Sequence, residues 1–462
     1  MRKNGKSDSH FGAGSLIADL LLTVVPILLF YYTYTHYYHS ATFRFRGNYV
    51  FTLVYVILLV LFMSMYGGYH VRQYRTRELV FSFALASLIT NTVVYFVMCL
   101  IAGRMLPPLA VIVTTLVQWV AELGLYILCR IVLPLLEPEI PAVFVYGSGE
   151  EDADLAGKFD RRRTRYTFAE SVSGDLPWEE LKAAIEPFDV VILGDVPQYV
   201  RQETIGYCFR SGKKSLLLPN MTDILVGSAS SVIMSDVLLY DLNTQELDTP
   251  YQAAKRTLDI VASALGLVIL SPLMLGAALA VKLQDGGPVF YRQVRLTRGG
   301  KRFYLTKFRS MIVNAESATG AVLAGKSDPR ITKVGEFLRA TRMDELPQLW
   351  NILKGDMTLV GPRPERPEFY EKICAEYPEF DYRLKVKAGL TGYAQLYGKY
   401  NTTFEDKARL DMYYIQHASF FWDIQLLFYT LKIIFIREST EGVEEKKPQS
   451  EEKFPAAAGK TE

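Results

Sequence analysis

Histidine and cysteine are scarce in this chain. Five His occur in 462 residues, and four of them precede residue 71, leaving His417 alone in the later chain. A Ser-His-Asp triad or a His-based metal centre therefore lacks its parts. Four cysteines, Cys99, Cys129, Cys208 and Cys374, lie scattered with no CxxC pair, which excludes a zinc ribbon and a secreted disulfide scaffold. An excess of one charge is also missing: 51 Lys and Arg against 49 Asp and Glu leave +2, so no dedicated nucleic-acid binder is expected. What abounds is apolar. Half of the residues are hydrophobic, with 29 Tyr and 26 Phe, which rules out disorder for most of the chain. The length allows two or three domains. Chemistry then falls to carboxylates and to Arg and Lys.

Four apolar runs fill the first 136 residues: Leu16 to Tyr32, Tyr49 to Tyr66, Leu79 to Ile101 and Leu109 to Leu136. Each approaches the ~20 residues that cross hydrocarbon as a helix. The first has bulky Tyr-rich sequence where a small-residue cleavage site would be, so no cleaved signal peptide is expected. Arg2, Lys3 and Lys6 precede span one, and Arg72, Arg75 and Arg77 separate spans two and three. This basic bias predicts a cytoplasmic N-terminus, and an even number of spans returns the chain to the cytoplasm near residue 137. Glu122 lies inside span four, where packing against Gln118 or a neighbouring helix is the plain reading and a functional carboxylate the sharper one.

Residues 139–249 change character. PAVFVYGSGEEDADLAG reads as strand, Gly turn and helix start, while Phe188 to Asp195 and Lys213 to Asn220 read as buried parallel strands. The pattern predicts a small α/β domain of Rossmann type. Its fingerprint is broken: Gly147 and Gly149 are present, but Asp152 stands where a third glycine would face a pyrophosphate. Nucleotide binding at this turn is therefore not expected. The Arg161 to Arg165 run reads as a solvated or lipid-facing surface.

A fifth apolar run, Leu258 to Leu283, is long enough to cross, yet Lys255 and Arg256 precede it and Lys282, Arg292 and Arg295 follow. Both flanks thus look cytoplasmic. Ser271-Pro272 falls at its middle, where Pro272 removes a helix hydrogen bond and forces a bend. The Ser271 hydroxyl is expected to satisfy backbone freed by that break. A re-entrant helix pair over 258–283, entering and leaving on one side, is the expectation.

Between Gly286 and Asn314 no acidic residue occurs, while Arg292, Arg295, Arg298, Lys301, Arg302, Lys307 and Arg309 do. Attraction to anionic headgroups and capture of phosphates both account for this stretch. Further on, Asp344 and Glu345 open a helical pattern with Leu346, Leu349, Trp350 and Leu353 apolar and Gly355 as stop. Pro347 is tolerated only in a first turn, which predicts the acidic pair at a helix N-terminus. Capping is the plain reading of such a pair. Arg339 and Arg342 just upstream change the context: a carboxylate aimed at phosphate among arginines is a nucleophile, as in aspartyl-phosphate chemistry, and its neighbour a Mg²⁺ ligand. Gly361 to Pro367 carries three prolines, so Arg363 and Arg366 sit on a stiff loop.

From Lys255 to about Ile434 the chain closely resembles the bacterial sugar transferases, the monotopic polyprenyl-phosphate phosphoglycosyl transferases. The matching pieces are Lys255-Arg256-x-x-Asp259, the Ser271-Pro272 break, Asp285 to Met311, the Asp328 to Pro364 block and Val386 to Gly398. The four spans and the α/β segment are similar to the larger type of that family. The resemblance implies 1–138 as a four-span transmembrane domain, 139–249 as a Rossmann-like domain and 250–437 as an α-rich, membrane-associated catalytic domain. A disordered tail, 438–462, is expected from its composition. The implied reaction takes a UDP-sugar and undecaprenyl phosphate to undecaprenyl-diphosphate-sugar and UMP, initiating a cell-surface polysaccharide. Asp344 would attack the sugar-linked phosphorus and hold the phosphosugar covalently, and Glu345 would bind Mg²⁺. Phosphate contacts fall to Lys307, Arg309 and Arg363, then to Arg330, Arg339 and Arg342. The implied place is the bacterial inner membrane, with the site on its cytoplasmic face. Glucose and galactose are the leading donor sugars, a homodimer and downstream glycosyltransferases the expected protein partners. The aromatic stretch from Tyr413 to Ile436 reads equally as a headgroup-level platform and as core. A membrane scaffold, an NAD-dependent sugar-modifying unit and a UDP-releasing glycosyltransferase are the alternatives; indifference to Asp344→Asn, a bound dinucleotide and UDP release would mark them.

Overall fold

The computed structural model describes residues 13–38, 43, 46–72, 74–147, 165–242, 249–313, 315, 328–398 and 402–434. Two compact units divide at Asn220/Met221, whereas the sequence pattern draws the border at 249/250. The reason is local: Met221 and Ile224 bury their side chains in the core of the second unit.

In the first unit, the four apolar runs become α1 (Ala13–Tyr37), α2 (Gly47–Met65), α3 (Thr76–Ala102) and α4 (Leu109–Leu136), each long and apolar enough to cross a membrane. Polar residues join them inside. Asn91 donates to Thr115 and to Gln118, both at 2.8 Å, and the Gln118 amide donates to the Pro26 carbonyl at 2.9 Å. Glu122, four residues on from buried Gln118, is 1% exposed, and neither of its carboxylate oxygens accepts a hydrogen bond from a described residue. At one end, Ser15 donates to the Glu137 carboxylate and Arg72 donates to the Leu133 and Glu137 carbonyls. The start of α1, the α2–α3 loop and the end of α4 therefore share one side, as four antiparallel crossings require.

The same unit carries a parallel sheet of β1 (Ile140–Tyr146), β2 (Tyr166–Ser173), β3 (Val190–Leu193) and β4 (Lys214–Leu217) in the order β2-β1-β3-β4. Strands β1 and β3 read as continuous apolar runs because both faces are covered. Val143, Val145, Val191 and Leu193 pack on α5 (Trp178–Ile185) and α6 (Gln198–Ser211), while Ala142, Phe144, Val190 and Ile192 meet Phe168 and Leu216. Strand β2 has no counterpart in the sequence pattern, because Tyr166–Ser173 is mostly exposed and carries Glu170. The turn after Gly147, with Gly149, Asp152 and most of the Arg161 run, lies outside the described residues.

The second unit opens with α7 (Met221–Gly227) and an antiparallel hairpin, β5 (Ser230–Met234) and β6 (Val237–Asp241). Next come α8 (Thr249–Ile269) and α9 (Ser271–Asp285), bent by 62° at Leu270. Pro272 has no N–H for the Val268 carbonyl, and the Ser271 hydroxyl takes that carbonyl at 2.7 Å. Each charged residue at the start of α8 holds a different element. Lys255 pairs with Asp423 at 2.6 Å, on α15 (Phe420–Ile434). Arg256 donates to the Ile352 and Leu353 carbonyls ending α11 (Gln348–Lys354), and Asp259 accepts from Thr358 and from the Leu359 N–H of β9 (Thr358–Val360).

Two layers then position the site. β7 (Phe290–Leu296) and β8 (Arg302–Phe308) pair antiparallel, and Asn351 stitches α11 to β8 by accepting from the Thr306 N–H and donating to the Tyr304 carbonyl. The basic residues of this hairpin part company: Arg295 donates to the Pro364 carbonyl, Lys307 to Glu345, and Arg309, just past β8, to Asp285. α10 (Lys333–Ala340), α12 (Pro367–Glu376), β10 (Gly389–Thr391), α13 (Tyr393–Tyr397) and α14 (Phe404–His417) complete the unit. Trp422 packs against Tyr393, Tyr413 and Tyr414, as the core reading expects, whereas Phe421 is exposed.

Candidate active site

Asp344 and Glu345 lie on a single 3₁₀ turn, Met343–Glu345, and not on the first turn of an α-helix. α11 begins only at Gln348, with Pro347 as the residue before it. Pro347 has no N–H for the Met343 carbonyl, which takes the Leu346 N–H at 3.2 Å in a 3₁₀ bond instead, and upstream Arg342, with a left-handed φ of 58°, breaks the path from α10. Such a backbone costs about 1 kcal/mol or more in a non-glycine residue and persists only where its surroundings hold it. Here α10 is seated from below: the Thr332 side chain accepts from the Gly335 N–H, and the Thr332 N–H donates to the Ser310 carbonyl after β8.

The two carboxylates differ in surroundings. Oε1 of Glu345 accepts from Lys307 Nζ at 2.8 Å and from Arg363 Nη2 at 3.2 Å, and its Oε2 stands 3.9 Å from Arg342. Burial pushes the Glu345 acid up, but Lys307, Arg363 and Arg342 together outweigh it and hold it well below the usual carboxylate range. The Asp344 carboxylate is buried, and no hydrogen bond or ion pair with another described residue engages it. Burial raises its pKa and the Glu345 charge raises it further, while Lys307, Arg339 and Arg342 pull the other way. The Arg363 guanidinium, facing Glu345, is raised in turn.

Of the expected phosphate contacts, Lys307, Arg342 and Arg363 converge on the dyad, and Arg339 is near enough to act on Asp344. Arg339 keeps Nη1 buried without a partner. Arg309 donates to Asp285 at the end of α9 but leaves Nε and Nη1 buried and unpartnered. Such orphaned donors are costly unless an anion takes them. Arg330 is different: it grips Asp328 through Nε and Nη2 at 2.9 and 2.6 Å, which lowers the Asp328 carboxyl to about 2. Ser271 and Pro272 form the bend of the α8–α9 pair, not part of the dyad's hydrogen bonds.

Sequence reasoning missed a supporting group. Gln395 accepts from Arg363 Nη1 at 3.3 Å and keeps its own amide nitrogen buried and unpartnered. Behind the proline loop, Arg383 donates to the Arg363 carbonyl at 3.0 Å and pairs with buried Asp411 at 2.7 Å. Nothing in spacing flags Arg383 or Asp411, which stand 20 and 48 positions beyond Arg363.

An unengaged carboxylate beside a cation-clamped one, with a spare guanidinium donor of Arg339 close by, is an arrangement for a phosphate-bearing ligand. Residues 250–437 match the family model for bacterial sugar transferases. A Bacillus subtilis relative, which carries the provisional name of an undecaprenyl-phosphate N-acetylgalactosaminyl 1-phosphate transferase, is 47% identical over 146 residues, covering 32% of this chain and 81% of that one. The chain belongs to the bacterial sugar transferase family. The Aeromonas hydrophila UDP-N-acetylgalactosamine-undecaprenyl-phosphate N-acetylgalactosaminephosphotransferase is 41% identical to this sugar transferase over 187 residues, 40% of the chain and 44% of the relative. The undecaprenyl-phosphate galactose phosphotransferase of Salmonella typhimurium is 38% identical over 223 residues, 45% and 46% of the two chains. The matches thus span about half the length of these two relatives.

Proposed function

We propose that this sugar transferase moves a sugar-1-phosphate from a UDP-sugar to undecaprenyl phosphate at the cytoplasmic face of a bacterial inner membrane, releasing UMP and initiating a surface polysaccharide. The observation that carries the reading is the free, buried Asp344 carboxylate set among Lys307, Arg339 and Arg342. An Asp344 oxygen attacks the phosphorus bonded to the sugar. The bond from that phosphorus to the bridging oxygen breaks, and UMP leaves with its electron pair. An oxygen of undecaprenyl phosphate then attacks the same phosphorus and returns the bonding pair to Asp344. Lys307, Arg363 and the unspent donors of Arg309 and Arg339 hold the phosphates in line.

Among the described residues no group of three His, Cys, Asp or Glu converges on a metal. Mg²⁺ commonly uses one or two carboxylates together with substrate phosphates, and Glu345 fits that smaller demand through its Oε2. Bound there, Mg²⁺ would neutralise diphosphate charge. In the same reading the bent α8–α9 pair is re-entrant, bringing a lipid-borne acceptor to a water-borne donor, and the parallel sheet is a Rossmann-like accessory domain.

The test is nucleotide release by purified protein with Mg²⁺, undecaprenyl phosphate and UDP-linked N-acetylgalactosamine, galactose or glucose. UMP is expected with one donor, falling at least about a thousandfold in Asp344→Asn. Intact-protein mass without acceptor should gain one phosphosugar in the wild type alone. Release of UDP, or an active Asp344→Asn, overturns the mechanism.

A further inference from the structure

The catalytic unit carries a cleft that neither carboxylate of the dyad lines. It holds about 630 Å³, within the size range of small-molecule sites. Its walls are the turn Arg298–Gly300 between β7 and β8, the start of α12 and a 3₁₀ stretch, Pro378–Lys385. Three cations line it, Arg298, Arg302 and Lys385, against two carboxylates, Glu371 and Asp381. Tyr382 adds a ring that is 36% exposed, and Lys385 Nζ stands over that ring at 5.8 Å. At the turn, Gly299 and Gly300 take left-handed φ of 66° and 71°, and a Cβ on either would meet nothing within 4 Å. The backbone there is open to close approach by a ligand. Arg302 and Lys307 lie five residues apart on β8, about 17 Å along the strand, so the cleft is separate from the dyad. Two bonds tie it to the Arg363 loop nonetheless. The N–H of Leu296, in the cleft lining, donates to the Glu365 carbonyl at 3.1 Å, and Arg383, next in chain to Tyr382, donates to the Arg363 carbonyl.

We propose that this cleft seats a nucleoside phosphate, its phosphate on the cations and its nucleoside on Tyr382 and the carboxylates. Three features select that class. Arginine and lysine side chains at an open glycine turn suit a phosphate. Glu371 and Asp381 would oppose a bare anion, whereas ribose hydroxyls donate to carboxylates, and the Tyr370 hydroxyl holds Asp381 in place. The exposed ring gives a base a face to stack on. Two sources supply this chemistry. One is the nucleoside half of the UDP-sugar, since Arg363 and Pro367 are four residues apart and at most about 14 Å of chain separates the dyad loop from the cleft wall. This source rests on the proposed transfer reaction. The other is a free nucleotide, felt at Arg363 through Arg383.

The test measures binding of radiolabelled UMP to the full-length protein in phosphatidylcholine nanodiscs, with no acceptor present. Arg302→Glu and Tyr382→Ala should each weaken UMP binding about tenfold or more, or remove one of two bound nucleotides. Lys372→Glu, the same charge reversal at a residue of α12 outside the cleft lining, should leave binding unchanged. Steady-state kinetics then separate the sources. A KM for the UDP-sugar that rises in step with the lost UMP affinity, with kcat within about twofold, marks the donor's own nucleoside. An unchanged KM with one nucleotide lost marks a free one. UMP binding that both cleft variants leave intact overturns the proposal. So does binding that Lys372→Glu weakens as much as Arg302→Glu, or a wild type that binds no UMP at millimolar concentration. Because UMP binding is read without turnover, a protein that binds UMP in the cleft but never releases it from a UDP-sugar would sink the transfer reaction and leave this site standing.

Discussion

Asp344 and Glu345 are neighbours in the chain with opposite electrostatic fates. Glu345 spends its charge on Lys307 and Arg363, so it stays ionised at any working pH. Asp344 is pushed up by burial and by its neighbour, with Lys307 as the largest opposing cation. A nucleophile must be deprotonated, so turnover falls as pH drops through the raised Asp344 pKa. The acid limb of kcat/KM for UMP release should therefore lie above the ordinary aspartate value of about 3.9. Lys307→Met should slow the reaction and also move that limb to higher pH, since the main cation favouring the carboxylate is gone. A limb at the ordinary value, unmoved by Lys307→Met, would show that Asp344 does not titrate in the rate. The dyad and most of its cations are legible in the sequence because they lie in short acidic and basic blocks. Arg383, Asp411 and Gln395 are not, because their roles come from folding that brings distant residues behind the Arg363 loop.

Elements were legible where one strong local cause fixes them. The run Leu109 to Leu136 is read to the residue, and the Ser271-Pro272 bend follows from one missing N–H. The dyad turn was not, since Pro347 fits a first helical turn equally well, while its missing N–H leaves the Met343 carbonyl to a 3₁₀ bond from Leu346. β2 and the β5–β6 hairpin escaped because neither is buried enough to print a pattern. The seat of α10 yields a prediction at this scale. A Cβ on Gly335 would stand 1.9 Å from the Ser310 carbonyl oxygen, an overlap with backbone that no rotamer relieves. Gly335→Ala should cost about 3 kcal/mol of stability and displace Arg339 from the site. Gly276→Ala, where a Cβ meets nothing within 4 Å, should cost none. Thermal unfolding of both variants, with UMP release below the transition, checks the contrast; equal midpoints would refute it.

Across the whole molecule the proposed topology makes one demand on each unit. Ser15, Arg72 and Glu137 are joined at one end of the bundle, while Tyr38 donates to the Pro107 carbonyl at the other. The loop holding Arg104 must then face away from the cytoplasm. For α8–α9, a re-entrant path puts Ala253 and Gln284 on the same cytoplasmic side, although the apolar stretch between them is long enough to cross. Lys282, whose ammonium caps the Gly286 carbonyl, and the basic residues of β7 would resist translocation. In intact cells an impermeant maleimide should label Arg104→Cys, and should reach Ala253→Cys and Gln284→Cys only after permeabilisation. Labelling of Gln284→Cys in intact cells, with Ala253→Cys still protected, would make α8–α9 a crossing. That result would put the dyad on the far side from UDP-sugars, so a protein that still released UMP from cytoplasmic donor could not be built this way.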